Sequence, residues 1–285
     1  VIGIIGGSGL YDMEGLAGFR WERVTTPFGD PSDALFLGEL AGQPVGFLPR
    51  HGRGHPFSPT TINYRANIHA LKQLGVTDVI SLSAVGSLKA ELPPGSFVIV
   101  DQFVDRTFAR EKSIFGTGLA AHVSMADPVC RRVGDALEVS ARELGLACSR
   151  GGAYLVMEGP QFSTRAESEL YRSWGLSVIG MTNMPEAKLA REAELCYATV
   201  AMVTDYDCWH QGHADVTVEQ VIAVLGENAA RARELVRRTV PRLRGRPVPC
   251  PGGCDRALDA ALITAPAARD PVVVERLRTI AGRVL

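Results

Sequence analysis

The chain has 285 residues, 46% of them hydrophobic and 21% charged, and a formal net charge of −1. That length suits one large α/β domain, and the balanced charge excludes the broad basic field that holds nucleic acid. No apolar run reaches the ~18 residues of a membrane span, and the first residues enter a strand-like stretch rather than a charged-then-apolar leader, so a cytoplasmic protein with no membrane partner is expected.

The opening run Val1-Ile2-Gly3-Ile4-Ile5 stops against Gly6, Gly7, Ser8 and Gly9. Such a turn can expose backbone N–H groups to an anion. It is no dinucleotide fingerprint: counted from Gly7 the third glycine falls on Asp12, and counted from Gly6 the second falls on Ser8. No Lys-Ser/Thr pair follows, so the phosphate loop of nucleotide hydrolases fails too. An anion nest and a plain tight turn both stay open.

Further strand-like runs are expected at 44–49, 78–87, 97–105, 153–159, 177–181 and 197–207. They are rich in Val and Ile and mostly do not alternate with polar residues, as strands covered on both faces do not. Helical spacing covers 60–75, ending on Gly75, and 127–145, with Asp127 as N-cap and Pro128 at the first helical position. It returns over 164–175 and over 217–243, where Gly226 is expected to interrupt or soften the helix. Strands alternating with helices predict a single α/β domain over 1–285 with a parallel or mixed central sheet. Segments 25–34 and 106–124 read as ordered loops, the second long enough to suggest function. A Pro/Gly joint at 245–253 leads to a C-terminal helical tail at about 250–285.

Six scattered cysteines suit free thiols in a reducing compartment. Cys250 and Cys254, in CPGGC, supply two ligands or a bridge. No second Cys pair or nearby His pair completes a zinc site, so no metal is expected.

Chemistry-bearing residues gather at strand exits, where open α/β sheets bind ligands. Arg50, His51, Arg53 and His55 follow one strand, and an Arg fork suits phosphate oxygens. Ser81, Ser83, Gly86 and Ser87 close the next. Phe162 with Ser163, and Met181 with Thr182 beside Glu186, mark two more exits. Asp205 and Asp207 end the last. As a close pair, one of them should hold a raised pKa and serve as a proton donor, although a cation site or a surface turn also fits.

The motifs GIIGGSGL, TPFGDPSDAL, RHGRGH, NYRANIHALK, AVGSL, DQFVDRT, EGPQFSTRAES and TDYDCW, in this order over residues 1 to about 240, resemble the 5′-methylthioadenosine phosphorylases. These form part of the trimeric branch of the purine nucleoside phosphorylase superfamily. The resemblance implies a mixed, partly barrel-like sheet flanked by helices, a homotrimer, and cleavage of a nucleoside by phosphate. No metal or organic cofactor is implied, inorganic phosphate being a co-substrate. By the same resemblance Ser8, Arg50, His51, Ser83, the Ala84 backbone and Thr182 hold phosphate, with Ser8 and Ser83 standing where the family has Thr. Met181 lies against the ribose, Phe162 and Ser163 wall the purine, and Thr204 lines the same pocket. Asp205 and Asp207 recognise adenine, Asp205 donating the proton. Val218, Val221 and Ile222 surround the methylthio group, and His122 reaches the site of a neighbouring subunit. The rival reading is a phosphorylase of 6-oxopurine or broader nucleoside specificity.

Overall fold

A computed structural model describes residues 1–7, 15–210 and 218–285. In chain order its strands and helices are β1 (Ile2–Gly6), β2 (Leu16–Glu22), β3 (Leu35–Leu40), β4 (Gln43–Pro49), α1 (Tyr64–Gln73), β5 (Asp78–Ser87), β6 (Phe97–Ile99) and β7 (Gln102–Asp105). There follow α2 (Arg131–Glu143), β8 (Cys148–Arg150), β9 (Ala153–Val156), α3 (Arg165–Ser173), β10 (Val178–Gly180), α4 (Glu186–Glu192), β11 (Cys196–Asp205), α5 (Val218–Thr239), α6 (Pro271–Arg276) and α7 (Arg278–Ala281).

The strands form one mixed sheet that branches at β5. β5 pairs in parallel with β1 through Asp78–Ser81 and with β11 through most of its length, while its last residues pair antiparallel with β10. Because β1, β4, β5 and β11 run parallel, their carboxyl ends open on one rim. β10 runs the other way along β5 and delivers its own exit, Met181–Thr182, back to Ser83. The non-alternating sequences of β5 and β11 have their reason here, since nearly every residue of both strands is buried. Buried residues of α1 and α4 belong to one core cluster, and those of α2 and α5 to a second.

Three expectations change. The run 97–105 is two strands: β6 pairs with β11 and β8, whereas β7 pairs with β9. The switch is fixed by Gly152, whose carbonyl accepts from the Asp101 N–H and whose N–H donates to Asp101 Oδ1. The helix expected from Asp127 starts at Arg131 with Cys130 as N-cap. The Cys130 N–H bonds the Tyr197 carbonyl and the Asp127 carbonyl accepts from Arg191, so this stretch is held to neighbouring elements instead of entering the helix. Gly226 does not interrupt α5, which runs through it; a lone glycine costs only about 1 kcal/mol in a helix that packing supports. The tail is helical in short pieces, α6 and α7 having 6 and 4 residues.

Candidate active site

Two polar corners meet on the exit of β5. The first starts from Arg50, directly after β4 and almost wholly buried. Its Nε and Nη2 donate to the two oxygens of Glu186 (2.8 and 3.0 Å), Nη1 to the Leu82 carbonyl (2.9 Å) and Nη2 to Ser81 Oγ (2.5 Å). A guanidinium has five N–H groups, so one remains for a ligand. Burial presses against the charge of Arg50, but the Glu186 carboxylate more than offsets it and its pKa stands above the ordinary value. Glu186 is likewise buried; Arg50 outweighs burial and keeps its carboxyl ionised below the usual range. Ser81 and Tyr197 hydroxyls donate to the same carboxylate, and the Asn183 amide nitrogen lies within hydrogen-bond distance of the Ser81, Tyr197 and Thr199 hydroxyls. The sequence alone assigns no site role to Glu186, Tyr197 or Asn183.

Above this network Ser83 Oγ lies 2.7 Å from Thr182 Oγ1 and 3.1 Å from the Tyr154 hydroxyl. Ala84 is the one residue of β5 that is not fully buried, so the strand opens at this position. Gly180 admits Tyr154 here, because a Cβ at that position would sit 2.2 Å from the Tyr154 hydroxyl. The expected Ser8 lies outside the described residues.

His51, expected to hold phosphate, follows Arg50 directly in the chain. Burial is the main cause lowering its pKa to about 4, with the Arg50 charge contributing, so the ring is neutral at pH 7. Its Nδ1 lies 3.0 Å from the Phe57 carbonyl, which only a protonated nitrogen can serve. Nε2 is then an acceptor, suited to a phosphate O–H rather than to a bare phosphate oxygen.

The second corner is the carboxylate pair. β11 ends at Asp205, and a left-handed residue, Asp207 (φ 51°), turns the chain back. The two carboxylates therefore meet through a turn and not along an extended strand. Asp205 Oδ1 accepts the Asp207 N–H (2.8 Å) and Oδ2 accepts the Thr204 hydroxyl (2.7 Å). Asp207 is buried, and its Oδ2 has no partner among the described residues. Burial raises both pKa values; hydrogen bonds from Thr204 and the Asp207 N–H pull Asp205 back, and Ser168 and Ser163 pull Asp207 back while the Asp205 charge pushes it up.

Gly86 joins this corner to β5. A Cβ there would lie 2.7 Å from Asp205 Oδ1 and 3.3 Å from the Asp207 nitrogen. Gly86→Ala should therefore tilt the pair while leaving the buried strand intact, lowering turnover by about 10²-fold, the cost of an ångström-scale misplacement. Kinetics beside thermal melting check this, and a Gly86→Ala variant with wild-type turnover would remove Gly86 from the argument.

Between the corners, Met181 packs against Gly159, where a Cβ would strike its sulfur at 2.5 Å. Its carbonyl is held by Arg110, a buried residue that the sequence does not single out although it lies in the long loop 106–124. Arg110 also donates to Glu158 Oε1 and to the carbonyls of Glu158 and Met184, tying two strand exits together. Ser163 belongs to the carboxylate corner, its carbonyl accepting from Cys208 Sγ. Phe162 is 43% exposed, and Val218 and Ile222 on the first turns of α5 are 57% and 61% exposed, with Val221 half-buried. His122 is exposed on the surface, its N–H bonded to the Ala261 carbonyl. The geometry thus joins Arg50, Ser83, Ala84, Met181, Thr182, Ser163, Thr204, Asp205 and Asp207, and leaves Phe162, Val218, Ile222 and His122 open on the surface.

Residues 1–241 match the model of the phosphorylase superfamily. An S-methyl-5′-thioadenosine phosphorylase of Rhodospirillum rubrum is 60% identical over 285 residues, covering 100% of this chain and 97% of the relative; one of Cereibacter sphaeroides is 61% identical, covering 100% and 98%. Among solved structures, a methylthioadenosine phosphorylase from an antarctic soil metagenomic library superposes with a TM-score of 0.92 at 47% identity, covering 98% of each chain. That of Schistosoma mansoni, in complex with adenine, gives 0.80 at 38% identity, covering 84% of this chain and 90% of its own.

Proposed function

The chain belongs to the phosphorylase superfamily, and from that premise we propose that this rim cleaves 5′-methylthioadenosine with inorganic phosphate, yielding adenine and 5-methylthioribose 1-phosphate. The observation that carries the reading is the short stretch of β5 from Ser83 to Gly86. It has a hydroxyl corner at one end and a carboxylate pair at the other.

The bond from C1′ to N9 breaks as a bond from C1′ to a phosphate oxygen forms. Positive charge grows on the sugar and negative charge on the departing purine. Phosphate sits on Ser83, Thr182, the Ala84 backbone, the remaining N–H of Arg50, and Ser8, with His51 accepting its O–H. It is both nucleophile and the anion that steadies the sugar cation. The Asp205–Asp207 pair gives one proton to the purine imidazole ring and accepts from the exocyclic amine of adenine. A 6-oxopurine would set its carbonyl against a carboxylate there, which disfavours the rival specificity. Val218, Val221 and Ile222 supply an apolar surface suited to the methylthio group. The reaction so written uses no metal and no organic cofactor. A homotrimer explains why His122 stands on the surface, where a neighbouring site can take it up. No helix among the described residues is long and apolar enough to cross a membrane, and the free cysteines favour the cytoplasm.

The test is adenine release from methylthioadenosine beside hypoxanthine release from inosine, each with and without phosphate. Release should need phosphate, and methylthioadenosine should be preferred on the order of 10²-fold or more, as expected of a site built around one hydrogen-bonding pattern. Release that continues without phosphate would make the protein a hydrolase, and an inosine preference would reverse the specificity.

A further inference from the structure

The sequence leaves Cys250 and Cys254 two ligands short of a metal site. The fold supplies the other two. Cys130 at the N-cap of α2 and Cys196 at the start of β11 converge on the pair, and the four Sγ atoms all lie within 4.8 Å of one another. All four residues are at most 2% exposed. We propose that Cys130, Cys196, Cys250 and Cys254 bind a single zinc ion as a closed, structural tetrathiolate site.

Size and chemistry select this ligand. Zinc–sulfur bonds of about 2.3 Å in a tetrahedron put the sulfurs about 3.8 Å apart. Cys130 and Cys250 already stand at 3.8 Å. An iron–sulfur cluster carries its own bridging sulfides and would need its cysteines spread wider. Cys250 and Cys254 have the Cys-x-x-x-Cys spacing of zinc sites, and the turn between them closes through the Gly253 N–H to the Cys250 carbonyl, with Gly253 left-handed at φ 65°. Binding releases four thiol protons, and four thiolates around Zn²⁺ leave two negative charges. Two guanidiniums offset them: Arg246 Nη1 lies 3.7 Å from Cys196 Sγ, and the charge of the buried Arg191 acts on Cys254. Arg246 also pairs with Asp255, whose other oxygen accepts the Cys250 N–H, so the groups around the ligands are ordered as metal sites require.

With four protein ligands the ion has no open position for substrate. It also sits at the end of β11 opposite Asp205, so its role is to fasten the Pro/Gly joint to the start of α2 and β11. The site accounts for why a joint with so little regular structure is nevertheless fixed.

The full chain, purified under reductant without chelator from zinc-supplemented medium, should carry one zinc per chain by elemental analysis. A mercurial thiol reagent should release it. Replacement by cobalt should give the intense visible bands of a tetrahedral tetrathiolate. Cys254→Ser and Cys130→Ser should lose stoichiometric metal, while Cys148→Ser, on β8 outside the cluster, keeps it. Should the serine variants fail to fold, the wild-type metal content and cobalt spectrum still decide. A folded, active wild-type chain that takes up neither ion overturns the proposal, and so does an intact mass showing these cysteines paired as disulfides under reductant.

Discussion

Asp205→Asn and Asp207→Asn should each lower adenine release from methylthioadenosine by about 10²–10⁴-fold, the range that positioned acid–base groups contribute. Both substitutions keep shape and remove the carboxyl proton and its charge, so the loss belongs to chemistry if melting temperatures stay near wild type. The two differ in what else they disturb. Asp205→Asn keeps an acceptor for Thr204 or for the Asp207 N–H while offering an amide to a 6-oxopurine carbonyl, so its residual activity should shift toward inosine. Asp207→Asn places an N–H₂ or a carbonyl at a buried oxygen position that has no partner among the described residues, so its loss should fall on turnover with little change of specificity. The pH dependence follows from the same geometry. A group raised by burial is protonated, and competent as an acid, below its pKa; turnover should therefore fall as pH rises through that value. In either Asn variant that alkaline limb should vanish. A variant retaining more than about a tenth of wild-type turnover, with the limb intact, would remove the pair from proton transfer.

How much of this can be read from residues alone depends on whether the signal is local. β5 is legible to its ends because a strand buried on both faces must be a continuous run of small and branched residues, and DVISLSAVGS is one. β2 is not, because most of its residues are exposed and Gly18 interrupts its pattern, leaving little to distinguish it from a loop. The carboxylate pair is visible as two Asp at a strand end, yet the turn that brings them together requires the positive φ of Asp207. Glu186 looks like the first turn of a helix, which it is; nothing local says that its carboxylate reaches back across the sheet to Arg50. The four-cysteine cluster is hidden for the same reason. Positions 130, 196, 250 and 254 are neighbours only after α2, β11 and the joint have packed.

The pairing of Arg50 with Glu186 carries the second large effect. Both side chains are about 2% exposed, so neither charge can turn to water if the other is lost. Glu186→Gln should then destabilise the fold by about 3–5 kcal/mol, the cost of stranding one member of a buried pair, whereas replacing both members by apolar groups of similar volume is often neutral. The double variant Arg50→Met/Glu186→Leu should accordingly recover most of the melting temperature lost in Glu186→Gln. It should not recover phosphate use. The KM for phosphate should stay well above wild type, because the remaining N–H of Arg50 is gone and the Ser81 and Tyr197 hydroxyls have lost the carboxylate that accepted from them. Stability and phosphate affinity thus separate within one cycle of variants. In the proposed reaction Glu186 is a positioning residue: it engages Nε and Nη2 of the guanidinium and leaves one N–H for phosphate. If Glu186→Gln melts with wild type, the pair is not the buried anchor its geometry implies. If the double variant saturates with phosphate as the wild type does, Arg50 belongs to the core and the hydroxyls of Ser83 and Thr182 hold the anion without it.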